Sequence, residues 1–222
     1  MSEPIPLIIA NLKANKTWDE VSAWLDKVIP VVETFDGTVV VCPSSPFLVS
    51  TLQKLQSLNS KFKLGCQDIS KFEQGAYTGE VAASQLVGIC QYVIVGHSER
   101  RQYFGEDTIA FQKAINAKKS NIEPIYCVQS EQDQIPDNIR IVAYEPTFAI
   151  GTGNPDTPQN AQSIAERLKT KGEYTVIYGG SVSADNVKSY LLKEVLDGVL
   201  IGATNSLDPQ KFIEILNSAK YQ

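Results

Sequence analysis

Short aliphatic runs recur along the chain, separated by longer stretches in which apolar residues return every three or four positions. Eight such runs stand out: Leu7–Ala10, Val39–Cys42, Lys63–Cys66, Val93–Val95, Pro124–Cys127, Ile139–Ala143, Thr175–Tyr178 and Gly198–Ile201. Most are continuous rather than alternating, the pattern of parallel strands covered on both faces. The stretches between them carry helix-start signals. Thr17-Trp18-Asp19-Glu20 reads as a capping box, with Thr17 as N-cap and Glu20 three residues on. Ser45-Pro46, Thr157-Pro158 and Asp208-Pro209 each set a capping side chain before a proline at the first helical position. Ser183 is expected to cap a helix running through Lys188 to Lys193.

Strands alternating with helices fit a doubly wound sheet or a (β/α)8 barrel. Eight repeats within 222 residues, without a nucleotide fingerprint after the first strand, favour the barrel. No linker-like or low-complexity segment divides the chain, so one domain spanning residues 1–222 is expected. The fifth unit is defective: only eleven residues, Val128 to Asn138, separate Cys127 from Ile139, and Pro136 would end any helix there. The fifth helix is therefore expected to be a single turn or missing.

Composition narrows the class. Hydrophobic content of 43% with 20% charged residues is that of a soluble globular protein, and a net charge of −5 lacks the basic footprint of a nucleic-acid or anionic-membrane binder. No apolar stretch reaches membrane-spanning length, and Met1-Ser2-Glu3-Pro4 does not open a secretory leader, so a cytoplasmic protein is expected. Cys42, Cys66, Cys90 and Cys127 are scattered, without ligand-type spacing. They read as small buried hydrophobes rather than a metal site or disulfides.

In a (β/α)8 barrel the C-terminal strand ends share one rim, and that rim carries the chemistry. Reading those ends gives Asn11 and Lys13 after the first strand, His97 after the fourth and Glu145 after the sixth. Gly179-Gly180-Ser181 follows the seventh strand and Gly202-Ala203 the eighth. An amide, an ammonium, the chain's only imidazole and a carboxylate would converge beside two small-residue loops suited to phosphate. Each also has an ordinary explanation: a strand-end histidine with a structural hydrogen bond, a solvated lysine, a rim carboxylate, turn glycines. Glu145-Pro146 followed by Thr147 to Gly153 reads as a stiffened exit and a small-residue loop, the composition of a lid.

Five segments together resemble the triosephosphate isomerase family: Ala10-Asn11-Leu12-Lys13-Ala14-Asn15, Gly75 to Glu80, Gly96-His97-Ser98-Glu99-Arg100-Arg101, Ala143 to Gly153, and Tyr178-Gly179-Gly180-Ser181-Val182. The resemblance implies a TIM barrel that interconverts dihydroxyacetone phosphate and D-glyceraldehyde 3-phosphate through an enediolate, in glycolysis and gluconeogenesis, with no cofactor. By the same resemblance Glu145 is the base, and neutral His97 hydrogen-bonds the substrate carbonyl. Lys13 and Asn11 support the oxyanion, and the backbone N–H groups of Gly151, Ser181, Gly202 and Ala203 hold the phosphate. Glu99 and Ser98 stand behind these groups, Glu99 against Lys13 or the lid. Arg100 and Arg101 are expected to be structural partners of nearby carboxylates. The segment Gln74 to Glu80 resembles a loop that enters a neighbouring subunit, implying a homodimer with Thr78 near the partner's Asn11 and the partner's Lys13, and with Glu80 on the same loop. Four departures stand out. Leu12 and Phe148 replace aromatic residues common in the family, the eighth-strand turn reads Gly202-Ala203-Thr204-Asn205, and Cys127-Val128-Gln129-Ser130 lacks the usual Gly and Glu. Another phosphosugar-handling barrel would share the phosphate loops without needing Lys13, His97 and Glu145 together, and a non-catalytic barrel would lack the base or the lid.

Overall fold

The computed structural model describes residues 6–149, 153–192 and 195–220. Eight parallel strands pair in sequence order and close into a barrel: β1 (Leu7–Asn11), β2 (Thr38–Cys42), β3 (Lys63–Cys66), β4 (Tyr92–Val95), β5 (Glu123–Val128), β6 (Ile141–Tyr144), β7 (Thr175–Tyr178) and β8 (Gly198–Ile201). The closing seam sets Leu7 opposite Gly198 and Ala10 opposite Ile201.

Alternate strand residues divide into two cores. Leu7, Ile9, Val40, Ile94, Ile125, Ile141, Ile177 and Leu200 fill the barrel interior, while Ile8, Ala10, Val41, Val93, Val142, Val176 and Val199 pack outward under the helices. Burial on both faces is why these strands read as unbroken apolar runs. At the seam, backbone meets backbone: a Cβ built on Gly198 would be driven into the Leu7 carbonyl. Only the missing side chain lets β8 reach β1.

The outer layer comprises α1 (Trp18–Val32), α2 (Leu48–Ser57), α3 (Ser98–Phe104), α4 (Ala110–Lys119), α5 (Pro158–Lys169), α6 (Val187–Leu191), α7 (Ala203–Leu207) and α8 (Pro209–Ser218). The capping box at Thr17 forms in full, and Thr157 and Asp208 cap α5 and α8 ahead of their prolines. Two expected caps are displaced. Ser44 rather than Ser45 occupies the cap position before a 3-10 turn, Ser45–Phe47, and its hydroxyl donates to the Lys13 carbonyl instead of closing the turn. Ser183 does not cap α6 either. Asn186 sits there, and its side-chain oxygen accepts from the Ser183 N–H. Lys193, the expected end of that helix, lies outside the described residues.

The fifth unit behaves as its length dictates: residues 129–140 run from β5 to β6 without a helix. Asp133 folds this loop back, accepting from Gln129 N at 2.8 Å and from the Ser130 hydroxyl at 2.8 Å. β6 begins at Ile141 rather than Ile139, because Asn138 turns the chain at φ +64° and pairing with β5 starts at Ile125–Ile141. The β3–β4 connection is reduced as well, to the 3-10 turn Ala83–Leu86.

Beneath α3 and α4 lies a charge cluster that the sequence did not disclose. The Lys113 ammonium, only 3% exposed, donates to both Asp68 oxygens at 2.8 and 2.7 Å and to Glu106 at 2.7 Å. Arg100 bridges the same two carboxylates. Burial pushes the Asp68 carboxyl up, and the ammonium only partly offsets this. Burial also works against ionised Glu106, but hydrogen bonds from Arg100 and Lys113 outweigh it and hold that carboxyl low. Breaking such a buried set by removing one partner is strongly destabilising. No helix among the described residues is long and apolar enough to cross a membrane, and all four cysteines are buried and unbonded.

The seam gives a test of closure. Gly198→Ala is expected to lower stability by about 1–3 kcal/mol, the usual cost of overpacking, read as a lower urea midpoint at unchanged slope. An unchanged midpoint would mean that β1 and β8 can part without loss.

Candidate active site

The inward parity of each strand continues into the loop that follows it. Asn11 and Lys13 extend the Leu7–Ile9 face, Glu145 the Ile141–Ala143 face, Gly179 follows Ile177 and Gly202 follows Leu200. These residues, with His97, Ser181 and Ala203, line one cavity of about 460 Å³ at the C-terminal rim. His97 is reached differently. Gly96 stands at φ +72° and breaks the alternation of β4; a Cβ there would lie 2.9 Å from the Arg101 guanidinium and 3.1 Å from Ala110.

The first turn of α3 holds both Glu145 and His97. Ser98 N donates to Glu145 Oε2 at 2.8 Å, and Glu99 N donates to His97 Nδ1 at 3.2 Å. A ring that accepts at Nδ1 carries its proton on Nε2. Nε2 lies 3.4 Å from Glu145 Oε1. Glu145 is 1% exposed. Burial, reinforced by this carboxylate, pushes the Cys127 thiol up, so a neutral S–H stands beside Glu145. Gly179 is needed for the packing: a Cβ there would sit 2.9 Å from Glu145 Cγ.

Lys13 is held from three sides. Its N–H donates to Asn11 Oδ1 at 2.9 Å, and its carbonyl accepts from Ser44 Oγ at 3.0 Å and Gln67 Nε2 at 2.8 Å. Its ammonium pairs with Glu99. The Asn11 carbonyl accepts from Ser206 Oγ at 2.8 Å. This web sustains a left-handed backbone at Lys13, φ +51°. Ser181 (φ +43°) and Ala203 (φ +53°), which also line the cavity, share that conformation. Such non-glycine residues cost roughly 1–3 kcal/mol each and persist only where their surroundings over-determine them. Ser181 is fixed by its hydroxyl on the Ala149 carbonyl at 2.7 Å and by Asn186 on its own carbonyl at 3.1 Å.

Of the expected site residues, the structure brings Asn11, Lys13, His97, Ser98, Glu99, Glu145, Ser181, Gly202 and Ala203 together. Gly151 lies outside the described residues. Thr78 and Glu80 stand apart, exposed on a loop stiffened by stacked Phe72 and Tyr77 rings, with centroids 3.9 Å apart. Arg101 makes the expected carboxylate pair, with Asp107 at 3.4 Å, and also donates to the Gly96 and Cys127 carbonyls at 2.7 and 2.9 Å, tying the ends of β4 and β5 where the fifth unit is trimmed. Arg100 takes the expected ion-pair role with Asp68 and Glu106.

Sequence reasoning passed over Gln67, Ser206, Asn186 and Asp156. Asp156 is held by three tyrosines: its N–H meets Tyr178 Oη at 2.8 Å, its carbonyl Tyr190 Oη at 2.5 Å, and its carboxylate Tyr144 Oη at 3.2 Å. Three tyrosines in buried apolar segments were the available signal, since a buried phenol requires a partner.

The triosephosphate isomerase family model matches residues 6–140 and 130–219. The chain belongs to the triosephosphate isomerase family. It is 34% identical to the triosephosphate isomerase of Aquifex aeolicus, across 96% of this chain and 98% of that protein. It is 37% identical to that of Halorhodospira halophila, across 83% and 86%, and 35% identical to that of Nitrosococcus oceani, across 96% and 98%. The family comprises cofactor-independent aldose–ketose isomerases that interconvert dihydroxyacetone phosphate and glyceraldehyde 3-phosphate in glycolysis.

Gly202 supplies a test of this geometry. A Cβ there would lie 2.8 Å from Lys13 Cε, so Gly202→Ala should displace the ammonium while leaving the fold intact. Isomerase kcat/KM is expected to drop by about 10²-fold, the scale of an ångström-sized misplacement, with thermal midpoint within about 2 °C of the parent. Unchanged activity would show that the ammonium's path past Gly202 does not matter.

Proposed function

We propose that Glu145 is the base of this isomerase and that it moves one proton between the two carbons of the triose through an enediolate. The carrying observation is the apposition of a buried carboxylate and an Nε2–H imidazole at 3.4 Å, beside Lys13, in one rim cavity. Glu145 takes the proton from one carbon of the bound triose phosphate and returns it to the neighbouring carbon. The His97 Nε2–H hydrogen-bonds the carbonyl oxygen as negative charge develops there, and Lys13 and Asn11 add charge and a donor. Donors held in place before the reaction need no reorganisation when the charge appears, which is the role of the web around Lys13.

Phosphate binding falls to the backbone N–H groups of Ser181, Gly202 and Ala203, with Gly151 of the lid. The left-handed backbones at Ser181 and Ala203 support this reading, because strained non-glycine residues cluster at ligand-holding sites and both line the cavity. Lid closure excludes water and holds the enediolate against loss of its phosphate. The described residues that flank the lid are anchored, Ala149 by the Ser181 hydroxyl and Asp156 by Tyr178 and Tyr190. We read the chain as a single barrel domain acting in the cytoplasm, where free thiols such as these four persist.

The protruding loop around Thr78 supports a homodimer in which that loop completes the neighbouring site. Glu145→Ala is expected to lower kcat by about 10²–10⁴-fold in a coupled isomerase assay; a variant within tenfold of wild type would sink the assignment of the base. Sedimentation at assay concentrations is expected to give a dimer, and Thr78→Arg a less active, dissociated form. A fully active wild-type monomer would overturn the dimer.

A further inference from the structure

Lys211, in the first turn of α8, lines the same cavity as Lys13, His97 and Glu145. Its main-chain N–H is held by the Asp208 cap. Among the described residues its ammonium has no hydrogen-bond or ion-pair partner, whereas the Lys13 ammonium is already paired with Glu99. The Asp208 carboxylate is spent on the main-chain N–H groups of Gln210 and Lys211, and no ion pair between it and the Lys211 ammonium forms. An ammonium on the cavity wall without such a partner is open to an anionic ligand.

The charge balance of the cavity gives the same direction. With Lys13 neutralised by Glu99, the buried Glu145 carboxylate leaves the site negative before substrate enters, and a triose phosphate adds about two negative charges. Backbone N–H groups contribute only partial positive charge. Lys211 lines the cavity with Gly202, Ala203 and Thr204, the residues that follow β8.

We propose that Lys211 is a substrate-binding residue that supplies a full positive charge to the phosphate, setting KM and the preference for phosphorylated over unphosphorylated triose. This rests on the isomerase reading of the cavity. The test is steady-state kinetics of wild type, Lys211→Ala, Lys211→Arg and Lys211→Glu with glyceraldehyde 3-phosphate and with unphosphorylated D-glyceraldehyde, together with competitive inhibition by inorganic phosphate. For an exposed charge pair the expected rise in KM and in the phosphate inhibition constant is about two- to fivefold for Lys211→Ala. The rise should be larger for Lys211→Glu and near unity for Lys211→Arg, with kcat within about twofold throughout. The loss should be confined to the phosphorylated substrate and should shrink as salt rises. An active wild type whose KM and phosphate inhibition are unmoved by Lys211→Glu overturns this role alone. Equal losses on both substrates, or a fall in kcat that Lys211→Arg does not rescue, would mark a structural role and also overturn it. A wild type inactive on triose phosphates overturns the isomerase reading and this proposal together.

Discussion

The parallel closure of the barrel, sealed where β8 meets β1 at Gly198, is the constraint on which everything else depends. Once eight strands run the same way around a ring, all their C-terminal ends must lie on one rim. Period-2 alternation then decides which side chains look into it. Asn11, Lys13, Glu145, Gly179 and Gly202 reach the cavity because each continues an inward face already fixed by the barrel interior. The ladder, not the helical layer, carries the closure. The β5–β6 connection has no helix and the β3–β4 connection only a 3-10 turn, yet β3 to β6 pair without a break.

On that rim the site is built by substitution of backbone for side chain. Two N–H groups at the start of α3 hold the carboxylate and orient the imidazole, and carbonyls of Lys13, Asn11 and Ser181 are held in turn by Ser44, Gln67, Ser206 and Asn186. Backbone groups are harder to displace than long side chains, which suits a site whose donors must not reorganise. The cost is visible as three non-glycine residues in left-handed conformations, Lys13, Ser181 and Ala203. Lys211 differs in kind, being an exposed side chain at the cavity wall that would tune affinity without touching the reacting atoms.

Trimming the fifth unit removed a helix and with it the Glu common in the family after that strand. Its local support comes from other residues here. Arg101 ties the ends of β4 and β5 through the Gly96 and Cys127 carbonyls, and Asp133 closes the shortened loop. The buried Asp68–Lys113–Glu106 set, with Arg100 across it, ties α3 and α4 together from beneath and so steadies the turn that holds Glu145 and His97.

The sequence by itself determined the eight strands, their parallel arrangement, the missing fifth helix and the strand-end residues Asn11, Lys13, His97, Glu145, Ser181, Gly202 and Ala203 on the rim. These follow from local apolar runs, caps and strand ends, each readable within a few residues. Only the tertiary structure decided what depends on contacts distant in sequence. The Ser98 N–H on Glu145 spans 47 positions, Ser206 on Asn11 spans 195, and Asp68 meets Lys113 across 45. It also decided which cap was used, since Ser44 was drawn to the Lys13 carbonyl and Asn186 took the place expected of Ser183. A local pattern fixes what a residue is able to do for its own turn of chain. Whether it serves that turn or a strand on the far side of the barrel is set by which unsatisfied backbone group the closed ring brings within reach.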